Sequence, residues 1–410
     1  AYHGPAFYPD GRVHSPLTPY VVEQLRDLAA LNSELQPDVF MKIGASSTAS
    51  TRTLACFATA PLELGNHQHL KQTLNLFLGG DAAGSTPFDR DTEAAVSGKT
   101  AGWAISGNPS PVEAEIAAIS PSLSFIHYGT NDMQMGYSYG SAMPAYYENM
   151  AELMEILIDH GIVPIVASIS HRGDSQAANY WVGAYNAVNR GLAQYHQVPF
   201  LDMHLALDPL PGHGLSGDGI HVNGYSGGAC VLTAEALEYG YNMRNLISVE
   251  ALDRLKQVLL DGVDDLDEPG KPLEGDGSPT DPFTIAALPF TDIRDTSTST
   301  HRNLDLYSGC SSDSNESGPE FLYRYEVEEA QAIRALVMDL GDADIDIHLL
   351  DATGSESGCI ERGHRFIETT LQPGTYIFAL DSWVDGGGDE RSGEFIFALI
   401  ACDEGDSDCD

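Results

Sequence analysis

An aspartate and a histidine stand three residues apart in "LSGDGIHVNGYS" (215–226), a stretch flexed by glycines. At that spacing the Asp218 carboxylate can accept from one ring nitrogen of His221 while the other nitrogen faces a hydroxyl. Such a pairing fixes the imidazole tautomer and stabilises the imidazolium formed when the hydroxyl gives up its proton. An acidic turn with a solvated histidine is the bland alternative, so the chemistry depends on partners elsewhere. A hydroxyl is available in "VFMKIGASSTAS" (39–50), where an apolar run breaks into small residues at Ser46 and Ser47. A serine becomes a nucleophile only beside a base, and the carbonyl it attacks then needs donors for its developing negative charge. Gly98 in "AAVSGKTAG" can bring a backbone N–H close to a ligand, and Asn131 in "FIHYGTNDM" carries a neutral amide donor. Taken singly, Ser46 could be a helix N-cap, Gly98 an ordinary loop glycine and Asn131 an Asx-turn.

The elements needed to position these groups are legible. Short apolar runs at 38–43, 123–129, 162–168 and 198–202 read as buried strands. They alternate with helical patterns at about 18–32, 143–160, 179–196, 224–240 and 249–261, the last capped by Ser248. This alternation is the signature of an open α/β sheet. Ser46 and Asn131 then fall at carboxyl edges of strands, where helix N-termini and backbone N–H groups favour an oxyanion. Residues 261–282, "DGVDDLDEPGKPLEGDGSPTDP", are acidic, rich in Gly and Pro and without periodicity, a linker composition. Beyond them the period becomes two, and short strands between Gly, Ser and Asp turns predict a small β-sandwich. The expected division is 1–262, a linker over 263–280, and 281–410.

The four segments "GASS", "SGKT", "GTND" and "DGIHVN", in that order over residues 38–240, resemble the four blocks of the SGNH or GDSL hydrolase family. The resemblance implies a flavodoxin-like three-layer α/β/α fold with a parallel sheet and an esterase or lipase activity on acyl esters. It implies Ser46 as nucleophile and oxyanion donor, Gly98 and Asn131 as the other donors, His221 as general base and Asp218 as its orienting partner. The first block departs from the family's Gly-Asp-Ser, because Ala45 stands at the aspartate position and lets Ser47 compete as nucleophile. Ser46 is the position that matches the family serine. The same parts would serve an acyltransferase on a polysaccharide, and Ala45 motivates a further alternative, a surface-binding protein without activity. "LPFTDIRDTSTST", "GPEFLYRYEV", "GDADIDIHLL" and "LQPGTYIFALD" resemble the bacterial pre-peptidase C-terminal domain, which implies an accessory module that contacts a surface or polymer.

Of two G-x-S-x-G matches, the one around Ser138 lacks the preceding strand that a nucleophile elbow requires, and Ser226 follows the histidine in chain order. Ser138 is the better of them, since Asp202 or Asp208 and then His221 follow it in chain order. "DMQMGYSYGSAMPAYY" (132–147) reads either as a locally packed surface loop or as one wall of a substrate cleft through Met133, Tyr137 and Tyr139. "HRGDSQAANYW" (171–181) would line the opposite wall, and its Arg-Gly-Asp carries no adhesive reading.

At 410 residues two domains are expected, and no apolar run is long enough to cross a bilayer. A net charge of −40, about two-thirds of it beyond residue 262, excludes a general nucleic-acid binder. The six cysteines form no CxxC or zinc-spaced cluster, so neither metal nor cofactor is expected. Their even number suits a disulfide-bonded, secreted protein acting on a small-molecule or polysaccharide ester, and a start at Ala1 fits a processed N-terminus. Six cysteines permit fifteen connectivities; in a flavodoxin-like sheet the helices after Ser46 and His221 share a face, so Cys56–Cys230 is expected, and Cys310–Cys359 and Cys402–Cys409 would then be local to the sandwich. Asp342, Asp344 and Asp346 read as a solvated strand face, with calcium held by nearby carbonyls as the other reading.

Overall fold

The computed structural model describes residues 2–311 and 313–402. The chain divides into two compact units between Lys271 and Pro272. The boundary therefore falls inside the acidic segment. Its first half folds onto the N-terminal unit: Asp267 accepts from Leu17 N at 2.8 Å and binds Arg12 and Arg254, each at 2.6 Å. Its second half joins the C-terminal unit, where Glu274 O accepts from Thr284 N and Gly277 O from Leu322 N.

The N-terminal unit is built on strands β1 (Gln36–Gly44), β2 (Pro121–His127), β3 (Val163–Ala167) and β4 (Phe200–Leu201). They are all parallel, in the order β1-β2-β3-β4. Beside β1, Gly44 forms a parallel bridge with Ala95, its N–H donating to Ala94 O and its carbonyl accepting from Val96 N. That bridge stands where a flavodoxin-like sheet has its second strand. The helices are α1 (Pro19–Ala30), α2 (Ser46–Ala49), α3 (Cys56–Thr59), α4 (Lys71–Leu78), α5 (Ala101–Ala104), α6 (Pro111–Ile119), α7 (Met143–Asp159), α8 (Gln176–His196), α9 (Met203–Leu207) and α10 (Gly240–Leu259). α1, α4 and α9 pack against α10, whereas α5 packs on α6 and α7, and α7 on α8. Both groups also touch the strands, giving a three-layer α/β/α unit. Strand β3 is buried along its whole length, and Phe40 of β1 makes edge contacts with Phe77, Phe88 and Phe125 at 5.1–5.7 Å.

Local signals act as expected at α1, where Thr18 Oγ1 caps Val21 N and Pro19 opens the first turn. They fail at 224–240, which is a series of turns rather than a helix. Asn242 Nδ2 donates to Gly228 O and Val231 O, satisfying backbone groups that a helix would have used internally. Ser248 lies inside α10 and bonds Arg244 O, so it is not a cap.

The C-terminal unit holds two sheets. β5 (Phe283–Ile285), β7 (Glu320–Val327), β9 (Ile345–Leu350), β10 (Cys359–Gly363) and β12 (Gly374–Ser382) make one, in the order β10-β9-β12-β7-β5. β6 (Phe290–Asp295), β8 (Gln331–Asp339), β11 (Phe366–Leu371) and β13 (Glu394–Ala401) make the other, in the order β11-β8-β13-β6. Rings from both meet between them: Phe397 lies 4.8 Å from Tyr323 and 5.7 Å from Phe378. This is a β-sandwich. Asp346 does not lie on a solvated strand face. It is buried and binds Arg362 and His364. Disulfides join Cys56 to Cys230 and Cys310 to Cys359. Cys409, and with it the expected Cys402–Cys409 pair, lies outside the described residues. Among the described residues no helix is long and apolar enough to cross a membrane.

Candidate active site

β1 ends at Gly44, where an added Cβ would sit 2.3 Å from Thr48 Oγ1 and 3.0 Å from His127 O. Only glycine lets the chain turn this closely against β2. Ala45 breaks the strand and its carbonyl accepts from Thr48 N and Ala49 N, so Ser46 opens a single helical turn at the carboxyl edge of the sheet. Below it, Arg244 of α10 is buried and donates to Thr48 Oγ1 at 3.0 Å. Burial lowers the Arg244 pKa to about 10, and burial with the nearby Arg244 charge holds His127 well below the usual imidazole range.

Ser46 Oγ lies 2.9 Å from His221 Nε2, and His221 Nδ1 lies 2.6 Å from Asp218 Oδ2. The second carboxylate oxygen, Asp218 Oδ1, accepts from Ser216 Oγ, Ile220 N and His221 N at 2.7–3.0 Å. The His221 bond, followed by these others, keeps Asp218 far below the ordinary carboxylate range. The loop is braced from behind by Gly173 N, which donates to Gly219 O at 2.7 Å.

Ser46 and His221 border an open cleft of about 220 Å³, lined also by Ser47, Ser97, Gly98, Asn131, Gln134 and Ile220. Gly98 has φ +78°, a left-handed backbone that glycine takes without strain. Asn131 Nδ2 donates to Lys99 O at 2.9 Å, which spends one of its two N–H groups and leaves the other for the cleft. Ser47 lines the cleft too, but the hydroxyl bonded to His221 is that of Ser46.

One supporting residue escaped the sequence reading. Asp132 is buried, and its two oxygens accept from Ala101 N (2.8 Å) and Gly129 N (3.0 Å). Together Asn131 and Asp132 clasp residues 99–101, the segment directly after Gly98. Burial raises Asp132 to about 6 despite those hydrogen bonds. Its position next to Asn131 in "GTND" was the available signal.

The expected aromatic wall is not there. Met133 is fully buried, because the 3-10 turn over Asp132–Gln134 points it inward beside Arg172 Nη1 (3.2 Å). Tyr137 projects entirely into solvent, and Tyr139 does not line the cleft. From this stretch only Gln134 faces it. The Arg-Gly-Asp tripeptide is an internal ion pair, with buried Arg172 held by Asp174 at 2.7 and 2.8 Å. Ser138 sits in a tight turn with Ser141, Asp202 is taken by Ser168 and Arg190, and Asp208 by His171, so the second constellation is not assembled.

Residues 71–225 match the model of the GDSL-like lipase/acylhydrolase family. Among solved structures, a GDSL-like lipase from Bacteroides thetaiotaomicron is 16% identical, with 58% of this chain and 98% of that one covered and a TM-score of 0.34. An acetylxylan esterase from Geobacillus stearothermophilus is 15% identical, over 52% of this chain and 93% of its own, with a TM-score of 0.36. The pre-peptidase C-terminal domain of a collagenase from Bacillus anthracis is 14% identical over 28% of this chain and 91% of its own, with a TM-score of 0.19. No curated protein matches. The matched residues carry Gly98, Asn131, Asp218 and His221, and the family is the one that the four sequence blocks resemble: the GDSL-like lipases and acylhydrolases.

Proposed function

We propose that this protein is a secreted serine esterase acting on short acyl esters. The observation that carries the reading is the hydrogen-bonded chain from Ser46 Oγ through His221 to Asp218, opening on a cleft that also holds Gly98 and Asn131. His221 Nε2 takes the Ser46 proton as Oγ attacks the ester carbonyl carbon. Negative charge then gathers on the carbonyl oxygen, where the N–H groups of Ser46 and Gly98 and the free N–H of Asn131 Nδ2 are the donors. Asp218 stabilises the imidazolium and stays ionised. Collapse of the tetrahedral species breaks the bond to the alcohol, which leaves with the proton from His221. Water, deprotonated by the same imidazole, then attacks the acyl-serine and releases the acid.

The cleft favours a small acyl group. Apart from Tyr128 and Ile220 its lining is small or polar, with serines, glycines, Thr130, Asn131 and Gln134, which suits a short acyl group better than a long apolar chain. A polar alcohol, such as the hydroxyl of a saccharide, suits the same lining. The disulfides support export, and the acidic β-sandwich serves as an accessory module.

The test is hydrolysis of p-nitrophenyl esters by wild type, Ser46→Ala and Ser47→Ala. Wild type should cleave the acetyl and butyryl esters at least about 10-fold faster than the palmitoyl ester, the size of discrimination a pocket gives from a few methylenes. Ser46→Ala should lose about 10³-fold or more and Ser47→Ala should retain activity. Activity that survives Ser46→Ala and disappears in Ser47→Ala would reassign the nucleophile. No activity in any of them would favour a binding protein.

A further inference from the structure

Outside the cleft, two loops bring three Lewis bases to one point. His171 follows β3, while Asp208 and His213 lie on the loop after α9. Asp208 Oδ1 is 2.8 Å from His171 Nε2 and 3.5 Å from His213 Nδ1, and the three donor atoms all lie within 4.8 Å of one another. His213 is directed there by a backbone it would not choose. Its φ is +54°, between Gly212 at +59° and Gly214 at +64°. Non-glycine residues avoid this left-handed region, and departures of this kind gather where a side chain has to be aimed. The ring of His171 stacks between those of His213 and His204, with centroids 4.0 Å apart on each side.

We propose that His171, Asp208 and His213 bind a divalent transition-metal ion, zinc by the character of its donors, with water as the fourth ligand. Two imidazoles and one carboxylate form a donor set that zinc takes at about 2.0–2.2 Å, which separates tetrahedral ligand atoms by about 3.3 Å. The two measured separations bracket that value. The ion replaces the His171–Asp208 hydrogen bond and the contact of His213 Nδ1 with Asp208 O. Each ring then binds metal through one nitrogen and keeps its proton on the other. The side chains of Asp208 and His213 are about half exposed, so the ion has a way in, whereas His171 is mostly covered and supplies the fixed ligand. The sequence reading expected no metal because the ligands come 37 and 5 residues apart, outside any local zinc spacing.

The loops that would be joined both hold the turn carrying Asp218 and His221. Gly173 N donates to Gly219 O at 2.7 Å, and Asn223 N donates to Gly214 O at 2.8 Å. An ion between His171 and His213 clamps both flanks of that turn. This consequence rests on the esterase reading; the binding itself does not.

The test uses the full chain stripped with EDTA and titrated with Zn²⁺ by calorimetry and with Co²⁺ by visible absorption. Wild type should bind zinc saturably and show tetrahedral Co²⁺ bands. His213→Ala, on an exposed loop, and Asp208→Asn should each lose at least about 10-fold in zinc affinity, the least that disturbing even a supporting group of a metal site costs. The Co²⁺ bands should vanish with them. His364→Ala, in the separate Asp344, Asp346 and His364 cluster of the C-terminal unit, should keep those bands. Zinc should raise the Tm of wild type and leave that of His213→Ala unchanged. Equal affinities in wild type, His213→Ala and Asp208→Asn, or no saturable zinc uptake by wild type, would overturn the proposal. None of these readouts involves an ester, so their failure leaves the assignment of Ser46 intact.

Discussion

Asn131 and Asp132 show how much of this candidate site depends on side chains that hold the backbone around it. Asn131 spends one N–H on Lys99 O, and Asp132 holds Ala101 N and Gly129 N. Asn131→Ala should lower kcat by about 10²–10³ with a small change in KM, as expected for a donor used mainly in the transition state. Asp132→Ala leaves two buried N–H groups without their acceptor and should cost about 1–3 kcal/mol of stability each, read by urea unfolding. It should also lower kcat, through displacement of Gly98 and Asn131. Ser46, Asn131, Asp218 and His221, which the fold brings around one cleft or into one hydrogen-bonded chain, each stood out because each sits in a short block whose chemistry is local to it. Met133, Tyr137 and Tyr139 were misread because composition does not say which way a side chain faces; one 3-10 turn sends Met133 into the core beside Arg172. His171, Asp208 and His213 were invisible for the opposite reason, since only the fold brings them together.

Among elements, the apolar runs at the sheet's centre were the plainest signals, and β1, β2 and β3 lie where those runs predict. The neighbour of β1 was not predicted, because a strand reduced to one bridge at Ala95 has no period to read. The false helix at 224–240 has a similar cause. Its backbone is satisfied by Asn242, which is distant in pattern though adjacent in space. Asn245 does comparable work on the Ser46 side, accepting from Leu54 N and donating to Arg52 O and Ala229 O. The Cys56–Cys230 pairing was inferred from two helices sharing a face and does form, although Cys230 lies in a turn. It closes a separation of 174 residues, so Cys56→Ala/Cys230→Ala should lose about 2–5 kcal/mol in guanidinium unfolding. Because the bridge ties the segment after Ser46 to the segment after His221, that variant should also lose activity at temperatures below its Tm.

The molecule as a whole is acidic, and its C-terminal unit buries part of that acidity. Glu320 is fully buried, with Oε1 accepting from Asn303 N, and burial raises it to about 7. A carboxyl whose folded pKa lies above its unfolded value binds more protons folded than unfolded between the two. Its contribution is therefore present below about pH 4.5 and is lost as pH rises through about 7. The β-sandwich should melt at a higher temperature at pH 5 than at pH 8, and Glu320→Gln should flatten that difference; an unchanged slope would contradict the buried acid. An α/β part followed by an all-β part was readable from the change of period, whereas residues 263–280 read as free chain although Asp267 binds Arg12 and Arg254. The whole account turns on one hydroxyl being activated by one imidazole. Treatment of the full protein with diethyl p-nitrophenyl phosphate, followed by peptide mass spectrometry, tests that directly. The account predicts a single diethylphosphoryl adduct on Ser46 that forms together with loss of esterase activity and is slowed by about 10³-fold or more in His221→Ala. An adduct on Ser47, or full labelling of Ser46 at an unchanged rate without His221, would contradict it.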